Sequence, residues 1–159
     1  MPFNRRKNPW LYNNFLDSCA FNPSYSPEDS ASKELFDRSE ENVKLILLIT
    51  HSVQKEIDHP GTPDWVKEKA RCQLHNLQFQ LTREEMDLIK KIHYMLTGEG
   101  NPEKYAADAR HVFYAQRDGS FFITTDKRIL KKAKELKKIC MVEILLPSEF
   151  LELLDYWGA

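Results

Sequence analysis

The chain has 159 residues, a hydrophobic fraction of 42%, and 23 basic against 24 acidic residues. That length suits one domain with a real core, and the apolar content excludes a disordered chain. No apolar segment approaches the roughly 20 residues needed to span a bilayer, and no apolar stretch of a secretory signal follows the basic start MPFNRRKNPW. Cys19, Cys72 and Cys140 are odd in number and widely spaced. They fit a reducing compartment better than a disulfide framework or a zinc site. The expectation is a soluble, cytoplasmic globular protein with no membrane partner.

In chain order, residues 1–10 read as a basic extension and residues 11–159 as a single domain. A first strand is expected over 11–16, although Asn13-Asn14 is poor strand chemistry. A Pro- and Ser-rich loop then leads to a helix over 31–41 with Leu35 and Phe36 inward. The run at 45–49 is apolar on every side, as in a strand covered on both faces of a parallel sheet. Ser52 is expected to cap a short helix, SVQKEID. Thr62, Pro63 and Asp64 open another that runs through Trp65, Ala70, Leu74 and Leu77. Thr82 with Glu84 and Glu85 starts a third helix, which stops at Gly98.

Asn101-Pro102-Glu103 opens a helix with Tyr105, Ala109, Val112 and Phe113 on one stripe, and Asp118-Gly119 makes a turn. A strand at 121–125 ends on Asp126. The segment KRILKKAKELKK follows as one helix, with seven basic residues and one acid. Such a block is usually a solvated helix face, though it is compatible with nucleic-acid binding. A last strand, MVEILL, precedes a C-terminal helix beginning at Pro147. The tail from Met141 onward carries only acids: Glu143, Glu149, Glu152 and Asp155. Strands alternating with helices predict an α/β fold, a three-layer α/β/α sandwich with a mostly parallel central sheet. Ligands then bind at the carboxyl edge of the strands.

Asp17 and Asp126 each end a strand and would meet at that edge. Glu56 lies just beyond the second strand, and Asp108 borders the buried face of its helix. Four carboxylates in one place repel one another unless a cation sits among them. Mg²⁺ or Mn²⁺ suits oxygen ligands and phosphate substrates, so the chemistry suggested is metal-assisted phosphodiester cleavage. Read separately, each acid has an ordinary structural explanation. Asp126 would be an N-cap, Asp17 a strand-end cap without an obvious helix to cap, Asp108 a helix-border residue, and Glu56 one acid with Asp58 as a rival. The histidines, His111 included, show no ligand spacing. No metalloprotease, phosphate-loop or nucleophile-elbow motif occurs, and Asp17-Ser18-Cys19 lacks the paired acids of a phosphoryl-transfer receiver.

With these residues placed, the chain resembles the PIN-domain family in three segments: FLDS, SVQKEID and DARHVFYAQRDGSFFITTDKRIL. It departs from the family pattern at Cys19, where Asn or Ser is usual. The resemblance implies a Mg²⁺- or Mn²⁺-dependent endoribonuclease whose catalytic and metal-binding acids are Asp17, Glu56, Asp108 and Asp126, supported by Ser18 and Thr124. Lys127, Arg128 and Lys131 would contact RNA phosphates. The resemblance also raises a cognate antitoxin and a homodimer as partners. The alternative is the same fold kept as an RNA-binding or partner-docking module with weak catalysis or none.

Overall fold

A computed structural model describes residues 7–73, 80–98, 100 and 102–158. Its strands are short: β1 (Asn14–Leu16), β2 (Leu47–Leu48), β3 (Phe121–Ile123) and β4 (Glu143–Leu145). They form one sheet in the order β2-β1-β3-β4, with every pairing parallel. Around them, in chain order, stand α1 (Glu28–Glu41), α2 (His51–Ile57), α3 (Asp64–Gln73), α4 (Arg83–Thr97) and α5 (Ala106–Asp118). They are followed by α6 (Lys127–Lys131), α7 (Ala133–Cys140) and α8 (Pro147–Tyr156).

Side chains alternate across a strand, and here the alternation divides the core. Leu16, Phe121, Ile123 and Leu145 pack with α1, α2, α3 and α8 on one face. Phe15, Phe122 and Ile144 pack with α4, α5, α6 and α7 on the other. With both faces covered, the strands can be apolar throughout. The α/β/α sandwich expected from the sequence is the architecture found. Among the described residues no helix is long and apolar enough to cross a membrane.

Several local expectations change. The first strand begins at Asn14, because Pro9–Leu11 forms a 3-10 turn before it. Pro9 is buried and the Trp10 indole donates to the Leu154 carbonyl at 3.2 Å, so packing begins inside the supposed extension. The Asn pair is structural. The Asn14 amide donates to the Pro9, Tyr12 and Ile46 carbonyls at 3.0–3.1 Å, and Asn13 donates to the Asp118 carbonyl at 2.8 Å. Helix α1 starts at Glu28, not at residue 31, since the buried Glu28 carboxylate accepts from the Ser148 amide and hydroxyl and ties α1 to the start of α8.

Thr50, not Ser52, caps α2, accepting from the Val53 amide at 3.2 Å. Strand β2 is only two residues long, and β3 ends at Ile123. The basic segment is two helices, α6 and α7, broken at Lys132. Ile129 in α6 and Leu136 in α7 both reach the core. Tyr105 closes a 3-10 turn, so α5 begins at Ala106, and the predicted cap Asn101 lies outside the described residues. Leu74 and Leu77 also lie outside them. The start of α4 after Thr82 and its stop at Gly98 are as expected, and a capping box of Thr82 with Glu85 makes the start.

Gly119, in the turn between α5 and β3, is needed for space. A Cβ there would lie 2.5 Å from the Asn13 carbonyl oxygen and 2.8 Å from the Phe15 ring. Gly119→Ala should therefore destabilise the fold by roughly 1–3 kcal/mol through overpacking. A drop of several degrees in the calorimetric melting temperature is the expected reading, and an unchanged midpoint would show that the turn yields.

Candidate functional site

Parallel pairing brings the carboxyl ends of β1, β2 and β3 to one edge, and the site is built there from side chains just past each strand. Asp17 follows β1 directly and is 4% exposed. It does have a helix to cap, the 3-10 turn Ser18–Ala20, whose first amide donates to its Oδ1 at 2.8 Å. The Thr124 hydroxyl, just past β3, donates to Asp17 Oδ2 at 2.7 Å. Burial pushes the Asp17 pKa above its ordinary value, against the opposing pull of His111 and the Thr124 bond.

Cys19, the position that departs from the family pattern, also serves this acid. Its thiol lies 3.6 Å from Asp17 Oδ2 and 3.3 Å from the Thr124 hydroxyl. Burial, and then the Asp17 charge, push the thiol up to about 11. It therefore stays protonated at neutral pH, a weak donor to the acid and not a thiolate ligand.

Glu56, in α2, accepts from the Ser18 hydroxyl at 2.7 Å, and its other oxygen lies 3.0 Å from His111 Nε2. Burial works to raise the Glu56 pKa. The His111 hydrogen bond and charge, together with Ser18, outweigh it and hold the carboxyl below its ordinary value. His111 is fully buried in α5, with Nδ1 2.8 Å from the Ser52 hydroxyl. Burial opposes its charge, but Glu56 and then Asp17 and Asp108 raise its pKa overall. As an imidazolium it donates to both Ser52 and Glu56. Ser52, freed from capping, thereby orients the ring, and its hydroxyl lies 3.0 Å from that of Thr50.

His111 is the site residue that sequence reasoning missed. It stands three positions after Asp108, on the same side of α5. That spacing was the available signal, but it gains meaning only when α5 packs against α2.

One ligand atom each from Asp17, Glu56 and His111 lies within 4.8 Å of the others, a group that could hold a metal ion. Asp108 stands half-buried beside them. Burial first, then the charges of Asp17, Asp126 and Glu56, raise its pKa to about 6. Asp126 completes the edge less closely. It caps α6 through the Arg128 amide at 2.9 Å and pairs with the Arg128 guanidinium at 3.4 Å. Its own amide donates to the Thr124 hydroxyl at 3.0 Å, so Thr124 links Asp126 to Asp17. Cap and site neighbour are thus both true of Asp126. Arg128 also reaches the Tyr105 hydroxyl at 3.3 Å and lies 4.9 Å from that ring, while Lys127 and Lys131 are exposed.

The raised Asp108 pKa has a stability consequence. Between about pH 3.8 and 6 the native carboxyl binds more proton than the unfolded one. Stability therefore falls as pH rises through that window. Asp108→Asn should raise the melting temperature of the metal-free protein near neutral pH, by an amount on the order of 1 kcal/mol for a half-screened group. The gain should vanish near pH 4, where the native carboxyl is already protonated and the unfolded one is becoming so. A variant less stable than the parent at neutral pH would contradict this crowding of charge.

A cavity of about 510 Å³ adjoins the cluster between α2 and the face of α5 that runs from Ala106 to Asp118, and Glu56 belongs to both cavity and cluster. Fold and site together define a parallel α/β protein with a carboxylate–histidine cluster at the carboxyl edge of its sheet. Compared with protein-family models, curated proteins and solved structures, the chain has no match.

Proposed function

We propose that the chain is a metal-dependent ribonuclease of the PIN-domain kind. The observation that carries this reading is the convergence at one sheet edge of two acids and a buried histidine within 4.8 Å, with Asp108 half-buried beside them. A carboxylate as buried as Asp17, with other acids beside it, is rarely kept without a cation or another use for the group.

The donor set fits a divalent ion. Asp17 and Glu56 offer hard oxygens, and His111 Nε2, once the ion displaces its proton, offers an imidazole nitrogen whose other nitrogen is already oriented by Ser52. A nitrogen in the set suits Mn²⁺ better than Mg²⁺, which prefers oxygen throughout. When bound, the ion would supply an activated water and neutralise charge on the leaving oxygen. The chain's own residues do the remaining work. Ser18 amide, Thr124 and Cys19 fix Asp17 in one rotamer. Ser18 and His111 keep Glu56 ionised and able to accept a proton from water. Asp108 and Asp126 border the position a phosphodiester would take.

The test is isothermal calorimetry with Mn²⁺, paired with cleavage of labelled single-stranded RNA with and without EDTA. Saturable Mn²⁺ binding and EDTA-sensitive cleavage are expected. Cleavage that survives EDTA would remove the metal from the reading.

One observation favours a second reading. The His111 cation already pairs with Glu56 without any metal, so the cluster is partly compensated as a metal-free RNA-binding module. RNA affinity with no Mn²⁺ binding would select that reading.

A further inference from the structure

The cavity beside the cluster is built by the two helices that build the site, one step along each. In α2, Lys55 precedes Glu56; in α5, Arg110 precedes His111. Arg110 and Tyr114 are four apart and share a face with Ala107. The small side chains of Ala106 and Ala107 leave the room that a larger residue would fill. Lys55, Ala106, Ala107 and Arg110 are exposed, so the cavity opens to solvent on that side. Tyr114 forms an aromatic wall; Arg117, which does not line the cavity, stands 4.9 Å over its ring and holds it.

The two cations are the informative part. Neither Lys55 nor Arg110 has an ion-pair partner among the described residues. Arg128, the arginine expected from sequence to meet phosphate, is instead engaged by Asp126 and Tyr105. The cavity's volume of about 510 Å³ falls in the range of small-molecule sites, roughly 300–1,000 Å³. Two unpaired cations at the mouth, an aromatic wall and a shared edge with Glu56 fit a phosphate joined to a flat heterocycle.

We propose that this cavity is the subsite for one nucleotide of a single-stranded RNA, adjacent to the phosphodiester at the acid cluster. Lys55 and Arg110 hold its phosphates, and Tyr114 with the alanine pair receives its base. The proposal rests on the nuclease reading for its substrate class. It places strand recognition on the α2–α5 side of the cluster, not on the α6 side.

Fluorescence anisotropy of a short labelled single-stranded RNA with the full chain tests it, in EDTA and again in Ca²⁺, over a salt series. Lys55→Gln with Arg110→Gln should weaken binding at least about tenfold and flatten the log–log salt slope by about 1.4, roughly 0.7 for each of two phosphates. Tyr114→Leu should weaken binding about tenfold with the slope unchanged, as expected of a stacking contact. Lys127→Gln with Lys131→Gln should do less than either. All these positions but Tyr114 are exposed, and circular dichroism confirms that each variant folds. Unchanged affinity and slope in the Lys55/Arg110 variant would overturn the proposal. So would an equal loss from the Lys127/Lys131 variant, or no RNA binding by the unsubstituted protein in either buffer. Because no cleavage is read, loss of the nuclease reading through absent Mn²⁺ binding leaves this result standing, and the reverse also holds.

Discussion

Asp17→Asn is expected to abolish RNA cleavage, by roughly 10³-fold or more, the scale of losing a group that acts on the reacting atoms. The substitution is nearly isosteric and removes only charge and the second acceptor oxygen. Oδ1 can still accept from the Ser18 amide, and the Thr124 hydroxyl can rotate to accept from the new amide. Asp17 is buried with its pKa raised, chiefly by desolvation. Ionised Asp17 therefore costs the native state stability as pH rises above the ordinary carboxyl range. The neutral variant should melt no lower than the parent near neutral pH, and its Mn²⁺ affinity should fall in calorimetry. Folded protein without cleavage separates a chemical role from a structural one. Full activity in Asp17→Asn would take Asp17 out of the reaction.

His111→Ala is expected to have the largest effect on stability, about 2–4 kcal/mol from the vacated core volume and the broken ion pair. The discount from a fully buried pair reflects Glu56, whose side chain is 38% exposed. For a chain of this size that is a melting temperature lower by roughly 5–15 °C. The sign with pH follows from the raised His111 pKa. Its charged form contributes stability that is fully present below the ordinary imidazole value and lost as pH rises through the native one. The gap between parent and variant should therefore be widest in mild acid and narrow in alkali. Added Mn²⁺ should recover less of the melting temperature in His111→Ala than in the parent, since the variant has lost the nitrogen of the proposed metal site. Thermal scans across pH, with and without Mn²⁺, measure both. A pH-independent gap would reduce His111 to a packing residue.

The acid at the end of β1 illustrates what a single sequence carries. Phe15-Leu16 closed by Asp is a local pattern, and the run at 45–49 is apolar on every side, so the parallel sheet and the place of Asp17 at its edge could be read from the residues. The same holds for the helix start at Thr82 and the stop at Gly98. Both are decided by hydrogen bonds within a few residues, which propensity describes well. Glu56 and Asp108 were legible as members of a set, though each alone was ordinary.

Contacts between distant segments decided the rest. Asn13 and Asn14 looked wrong for a strand because their partners, the Asp118 and Ile46 carbonyls, lie far along the chain. The break at Lys132 falls in a segment with no Pro or Gly, so no local breaker announces it. Arg128 meets Tyr105, more than twenty residues earlier, only because the fold brings them together. His111 is the clearest case. Its spacing to Asp108 was in the sequence, but its partners Ser52 and Glu56 belong to α2, more than fifty residues earlier. The sequence by itself determined the layers, the sheet edge and the four acids. Only the tertiary structure decided which two of those acids share a buried histidine, because packing α5 against α2 is what removes water from between them.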